Sequence, residues 1–140
     1  MKILAVDYGA SRTGLAVCDP TEFLTTPITP QITLKARPKV AAEVCRIAQE
    51  QKAELIVVGL PLNMDGTEGV RAELCREFAD KLAQATGLPV SMWDERRTTV
   101  EAHNILSQHN YHGKKRKDTV DAVAASLILE GYLAYKKRNG

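Results

Sequence analysis

The sequence predicts an α/β fold: a mixed five-stranded sheet that starts as an antiparallel hairpin group, continues with parallel strands, and carries helices on both faces. Three observations lead there. Two apolar segments, Ile3 to Tyr8, broken only by Asp7, and Leu55 to Gly59, have the composition of strands covered on both sides of a sheet. Only Gly9-Ala10-Ser11-Arg12, rich in turn formers, separates the first run from the next, which is hairpin spacing. In the second half, apolar segments alternate with stretches of helical period, the order that produces parallel crossovers.

Taken in order, Thr13 to Cys18 resumes strand character after the hairpin turn, and Pro27 to Thr33 adds a third strand that its prolines confine to an edge. From Pro38 onward, Val40, Val44, Ile47 and Ala48 recur at helical spacing, with Glu43, Arg46, Gln49 and Glu50 opposite them. This helix precedes the strand Leu55 to Gly59. A loop of turn formers, Leu60 to Gly69, leads to a second amphipathic helix marked by Val70, Leu74, Phe78 and Leu82 and ended by Gly87. Pro89 to Trp93 forms the last strand. Thr98 and Glu101 make a capping-box pattern for a short helix reaching about Leu106. Gln108 to Lys117, polar and basic, reads as a mobile loop. The final helix is expected from about Thr119 to Lys136, with Val120, Val123, Ala124, Leu127, Ile128, Gly131 and Tyr132 on a wide apolar stripe.

The 140 residues are enough for one domain, spanning 1–140, with a contiguous core. The net charge of +2 is too small to identify a partner. Cys18, Cys45 and Cys75 are odd in number and lack C-x-x-C spacing, which supports neither a disulfide framework nor a zinc site and suggests a reducing cytoplasmic setting. The N-terminal apolar run stops at Asp7, well short of a signal-peptide core, and no run approaches membrane-spanning length, so no membrane association is expected.

Three carboxylates sit where buried elements end. Asp7 follows Ile3-Leu4-Ala5-Val6, Glu95 follows Val90-Ser91-Met92-Trp93, and Asp121 opens the apolar part of the last helix. Desolvating an ionised carboxylate at a core edge is costly unless something compensates it, so three such acids suggest a shared divalent cation. Asp7 and Glu95 both stand at the carboxyl ends of strands expected to run parallel, where such sheets bind ligands. Strand alternation puts Glu95 on the side of Ser91 and Trp93, and Asp94 on the side of Met92. Asp121 shares a helix face with Ala124, Ala125 and Ile128. Asp118, one turn earlier, is either a second metal contributor or simply the N-cap of that helix. Asp65 is open to a role as a fourth acid, although Asn63-Met64-Asp65-Gly66 is also ordinary turn chemistry, and His103, His109 and His112 share no ligand spacing.

Lys114, Lys115, Arg116 and Lys117 directly precede the acidic helix start, where cations could grip a polyanion while the acids hold metal. Arg96, with Arg97, is open to two readings: a bidentate phosphate clamp, or local ion pairing with Asp94 or Glu101. No nucleophilic Ser or Cys with a positioned base is evident. The acids therefore point to hydrolysis of a phosphodiester by metal-activated water.

Four ordered motifs closely resemble the YqgF family. They are Val6-Asp7-Tyr8-Gly9 with Gly14-Leu15-Ala16-Val17; Val58-Gly59-Leu60-Pro61-Leu62-Asn63-Met64-Asp65-Gly66-Thr67; Trp93-Asp94-Glu95-Arg96 with Thr98-Thr99; and Lys117 with Asp121 before Ala124-Ala125. This is the bacterial family of Holliday junction resolvase-like, pre-16S ribosomal RNA processing nucleases. The resemblance implies a ribonuclease H-like fold related to the RuvC resolvases, Mg2+ or Mn2+ as cofactor, and a role in maturing the 5′ end of 16S ribosomal RNA. It places the family's acids on Asp7, Glu95 and Asp121. The chain departs from the family at Arg97, where an aliphatic residue is usual. It also lacks the acid that the wider ribonuclease H-like superfamily often takes from the strand ending here in Val58-Gly59, so Glu95 must substitute from a neighbouring strand.

The partner is then precursor ribosomal RNA or branched DNA, handled by a monomer or a homodimer. Two other functions compete: nucleotide phosphoryl transfer, because Asp-x-Gly followed by Gly14 also looks like a phosphate loop of actin-like kinases, and a non-catalytic module binding structured nucleic acid. No second Asp-x-Gly loop appears, and the length argues against a two-lobed kinase.

Overall fold

The computed structural model describes residues 1–95 and 113–139, with the backbone alone for Pro30, 113–123 and Asn139. Its strands are β1 (Ile3–Tyr8), β2 (Thr13–Cys18), β3 (Thr25–Ile32), β4 (Leu55–Leu60) and β5 (Val90–Asp94). Its helices are α1 (Arg37–Glu50), α2 (Val70–Thr86) and α3 (Gly113–Asn139). The sheet order is β3-β2-β1-β4-β5. β1, β2 and β3 pair antiparallel, and β4 and β5 join β1 in parallel, which is the expected mixed sheet. β1 is central because its composition tolerates cover on both faces. β3 is an edge because Pro27 and Pro30 deprive it of two donors.

Alternation along the strands sorts side chains into two cores. Leu4, Val6, Ile56 and Val58 face α1 and α2, meeting Val40, Val44, Phe78 and Leu82. Ile3, Ala5, Leu55 and Val57 face α3, meeting Ala125, Ile128 and Leu129. Asp7 continues the odd-numbered series of β1 and so stands on the α3 face, at the carboxyl end of the central strand. The register pairs Val6 with Val58, and Gly59 with Trp93, bringing the ends of β1, β4 and β5 level.

Two expectations need correction. The segment Lys114 to Lys117 is helical, because α3 begins at Gly113 and not near Thr119. Low apolar content reports exposure, not backbone state, and lysine and arginine are good helix formers. The buried stripe of α2 is Ala72, Cys75, Phe78, Ala79 and Leu82, while Val70 is 74% exposed and Leu74 only half-buried. Small Ala72 and Cys75 let this helix lie close on the sheet, and that rotates Val70 outward. Gly87 ends α2 as expected, in the left-handed conformation at φ 72°. The expected helix from Thr98 to Leu106 lies outside the described residues. No helix among the described residues is long and apolar enough to cross a membrane.

Candidate active site

Asp7 is delivered by the last turn of a buried strand, half-exposed between the core residue Val6 and the ring of Tyr8. That ring lies flat on Phe78, with centroids 4.0 Å apart and planes 5° from parallel, so the backbone beside Asp7 is held by packing. Gly9 follows because the hairpin turns sharply there: a Cβ at this position would run into the Arg12 carbonyl oxygen. Its need for glycine is thus met within the protein by the turn.

Glu95 immediately follows β5 and reaches sideways over β4. A Cβ on Gly59 would lie 2.6 Å from the Glu95 Cδ and Oε1 and 2.7 Å from its Cγ. Gly59 therefore supplies the bare backbone on which the Glu95 side chain rests. The residue that contributes no acid from β4 creates room for the acid arriving from β5. This places Glu95 on the odd-numbered face of β4, the face of Asp7 and α3, as strand alternation predicts.

Asp7 and Glu95 meet. Burial, then a hydrogen bond and charge from Asp7, push the Glu95 carboxyl up to about 9, opposed by the positive charge of Arg71. At neutral pH Glu95 thus keeps its proton and donates it to Asp7. Two carboxyl groups held this close cannot both ionise cheaply without a cation, so the pair has the chemistry of a divalent-metal site. Cys75 lies within the same field: burial, with the charges of Glu95 and Asp7, raises its thiol to about 11, although Arg71 opposes them. It is a core thiol on the α2 side of the sheet, not a nucleophile.

Asp118 and Asp121 are helical positions of α3, their side chains outside the described set, as are those of Lys114, Lys115, Arg116 and Lys117. Arg96 lies outside the described residues altogether. Among the described residues no three His, Cys, Asp or Glu side chains gather as a metal-ligand group. Asp65 is engaged by its own turn, accepting from the Thr67 amide at 2.9 Å and the Thr67 hydroxyl at 2.6 Å.

Sequence reasoning passed over Arg71. The loop Gly59 to Gly69 has no basic residue, but Arg71 stands just inside the helix that follows it. Its Nη2 donates to the Tyr8 carbonyl at 2.5 Å, and its guanidinium carbon lies 5.6 Å from the Tyr8 ring centroid. A lone basic residue opening the helix after a basic-free loop is the available signal.

The family pattern described as RuvX, Holliday junction resolvase, matches residues 1–135. The chain belongs to the RuvX family. A relative from Halothermothrix orenii, named "Putative pre-16S rRNA nuclease", is 40% identical over 139 residues, covering 99% of this chain and 98% of its own. A relative of the same name from Lachnospira eligens is 42% identical over 141 residues, covering 99% and 100%. Among solved structures, Thermus thermophilus RuvC in complex with a Holliday junction superposes on this RuvX-family chain with TM-score 0.59 at 14% identity, over 97% of this chain and 96% of that one. At that identity the likeness is one of fold, and the fold is ribonuclease H-like of the RuvC type.

Proposed function

We propose that this RuvX-family chain is a metal-dependent endonuclease that hydrolyses phosphodiester bonds and matures the 5′ end of precursor 16S ribosomal RNA in the cytoplasm. The observation that carries the reading is the Asp7–Glu95 pair, resting on Gly59 at the carboxyl ends of β1, β4 and β5. The RNA assignment draws support from relatives of that name which match nearly end to end.

Asp7 and Glu95 would hold the cation, joined by Asp121 and Asp118 from α3. Helical spacing puts position 121 in line with Ala125 and Ile128, both fully buried against the sheet. A divalent cation held there, Mg2+ or Mn2+, would supply a Lewis acid for the phosphoryl oxygens and would activate water for attack. Glu95 would have to give up its proton for a cation to bind, so uptake would strengthen as pH rises. The rigid β1 and β5 backbones keep the two carboxyl groups in place without reorganisation. Lys114, Lys115, Arg116 and Lys117 add four cations at the positive end of the α3 dipole, a repulsive arrangement that a bound polyanion relieves. Arg96, directly after Glu95 in the sequence, would add a further guanidinium for phosphate.

A second reading, resolution of four-way DNA junctions, is favoured by the fold shared with a junction-bound RuvC and by the description of the family. It calls for a homodimer cutting two strands symmetrically, whereas RNA processing is open to a monomer. The test offers precursor 16S RNA and four-way DNA junctions to the wild type and to Asp7→Asn, Glu95→Gln and Asp121→Asn with Mg2+ or Mn2+. We expect the wild type to cut RNA and each variant to lose more than about 100-fold in rate. Variants that cut like the wild type overturn the metal site. Binding by a wild type that cuts neither substrate indicates a non-catalytic module, and faster junction cleavage transfers the assignment to branched DNA.

A further inference from the structure

Four arginines occupy α1 and α2, and three are committed to carboxylates. Arg37 pairs with Glu77 at 2.8 Å, Arg46 with Glu43 at 2.5 Å and Glu50 at 2.7 Å, and Arg76 with Glu68 at 2.5 Å. Arg71 has no carboxylate partner among the described residues, and it is exposed. Its guanidinium is nevertheless fixed, by the Tyr8 carbonyl at 2.5 Å and by its place over the Tyr8 ring, itself stacked on Phe78. Tyr8 is the residue after Asp7. An arginine fixed by Tyr8, whose charge reaches Glu95 and which forms no ion pair among the described residues, has donors to spare for an anion.

We propose that Arg71 binds the phosphodiester substrate at this centre, one guanidinium N–H tied to Tyr8 and its other donors presented to a nonbridging phosphate oxygen. The inference rests on the nuclease reading above and adds a substrate contact to it. A guanidinium carries five N–H donors in a planar fork, and the Tyr8 carbonyl takes one. The remaining edge suits the bidentate geometry that phosphate prefers. Tyr8 restrains the side chain before substrate arrives, so little freedom is lost on binding. The positive charge reaches both Glu95 and Cys75, which places it within the field of the carboxyl pair. Negative charge developing on the phosphate during attack would be stabilised from this side, opposite in sign to the acids and complementary to a bound cation.

The discriminating substitution is Arg71→Gln, since a glutamine amide can still donate to the Tyr8 carbonyl but carries no charge. Arg71→Ala and Asp7→Asn accompany it, each in the full chain, with cleavage of precursor 16S RNA and four-way junctions measured in Mg2+. Arg71→Gln is expected to lose about 100-fold in kcat/KM, with its melting temperature close to wild type. Its binding to either nucleic acid should show a log affinity against log salt slope smaller by about one phosphate contact, a change that a purely structural residue would not produce. Free guanidinium ion should restore part of the rate of Arg71→Ala. Cleavage and salt slope both unchanged in Arg71→Gln, with Asp7→Asn inactive, overturn the role of Arg71 and leave the nuclease reading standing. A wild type that neither binds nor cuts overturns both.

Discussion

Glycine at position 59 and glutamate at position 95 are one device built from two residues. Gly59 offers a flat patch of β4 backbone, and Glu95 lies across it toward Asp7. Gly59→Ala would drive a methyl group to 2.6 Å from the Glu95 carboxyl carbon, so the acid or the strand must shift. We expect that variant to lose cleavage as severely as Glu95→Gln while costing only about 1–3 kcal/mol of stability in chemical denaturation. The same pair makes stability depend on pH. Glu95 in the folded, metal-free chain holds its proton up to about 9, against 4.5 for the ordinary group. The folded state therefore binds more protons between those values, and stability is highest at the acid end and is lost as pH rises from 4.5 to about 9. Melting scans in a chelator should show this decline, Glu95→Gln should flatten it, and Mg2+ should raise the melting temperature most at the alkaline end.

At the scale of elements, the site depends on how α3 seats against the sheet. Gly131 lets Trp93 of β5 pack against the helix backbone: a Cβ there would come within 2.8 Å of the indole Cζ2. Tyr132 and Tyr135 meet the same indole edge-on, with centroids 6.5 and 6.0 Å away. Trp93 lies two residues before Glu95, so this contact couples the end of β5 to the helix that carries Asp121. Gly131→Ala is expected to destabilise the protein by about 1–3 kcal/mol, and the emission of the single tryptophan should change with it. Cleavage should fall as well, although position 131 is well removed from the acids along α3. The other end of α3 is tethered where Lys136 meets Glu22 at 3.1 Å, and Glu22 also accepts from the N-terminal ammonium at 2.9 Å. Lys136 is thereby committed within the protein.

Across the whole molecule, one end of the sheet gathers Asp7, Glu95 and Arg71, while the β2–β3 turn and the tail of α3 close the opposite end. Most of this was legible in the amino-acid order. Ile3–Val6 and Leu55–Leu60 are apolar without interruption, the pattern of an interior strand, and the prolines of Thr25–Ile32 confine it to an edge. Those local constraints determined which strands are buried and which is an edge, the mixed sheet, and the ends at which Asp7 and Glu95 stand. The start of α3 was hidden because a basic polar run fits loop and exposed helix equally well. The inward face of α2 was hidden because Val70 and Leu74 are as apolar as the small residues that pack better. The partnership of Glu95 with Gly59, the tie between Arg71 and Tyr8, and the shared proton of Asp7 and Glu95 were decided by tertiary structure alone. Each joins residues from different elements at contact distance, and side-chain periodicity along a chain carries no record of distance across a sheet.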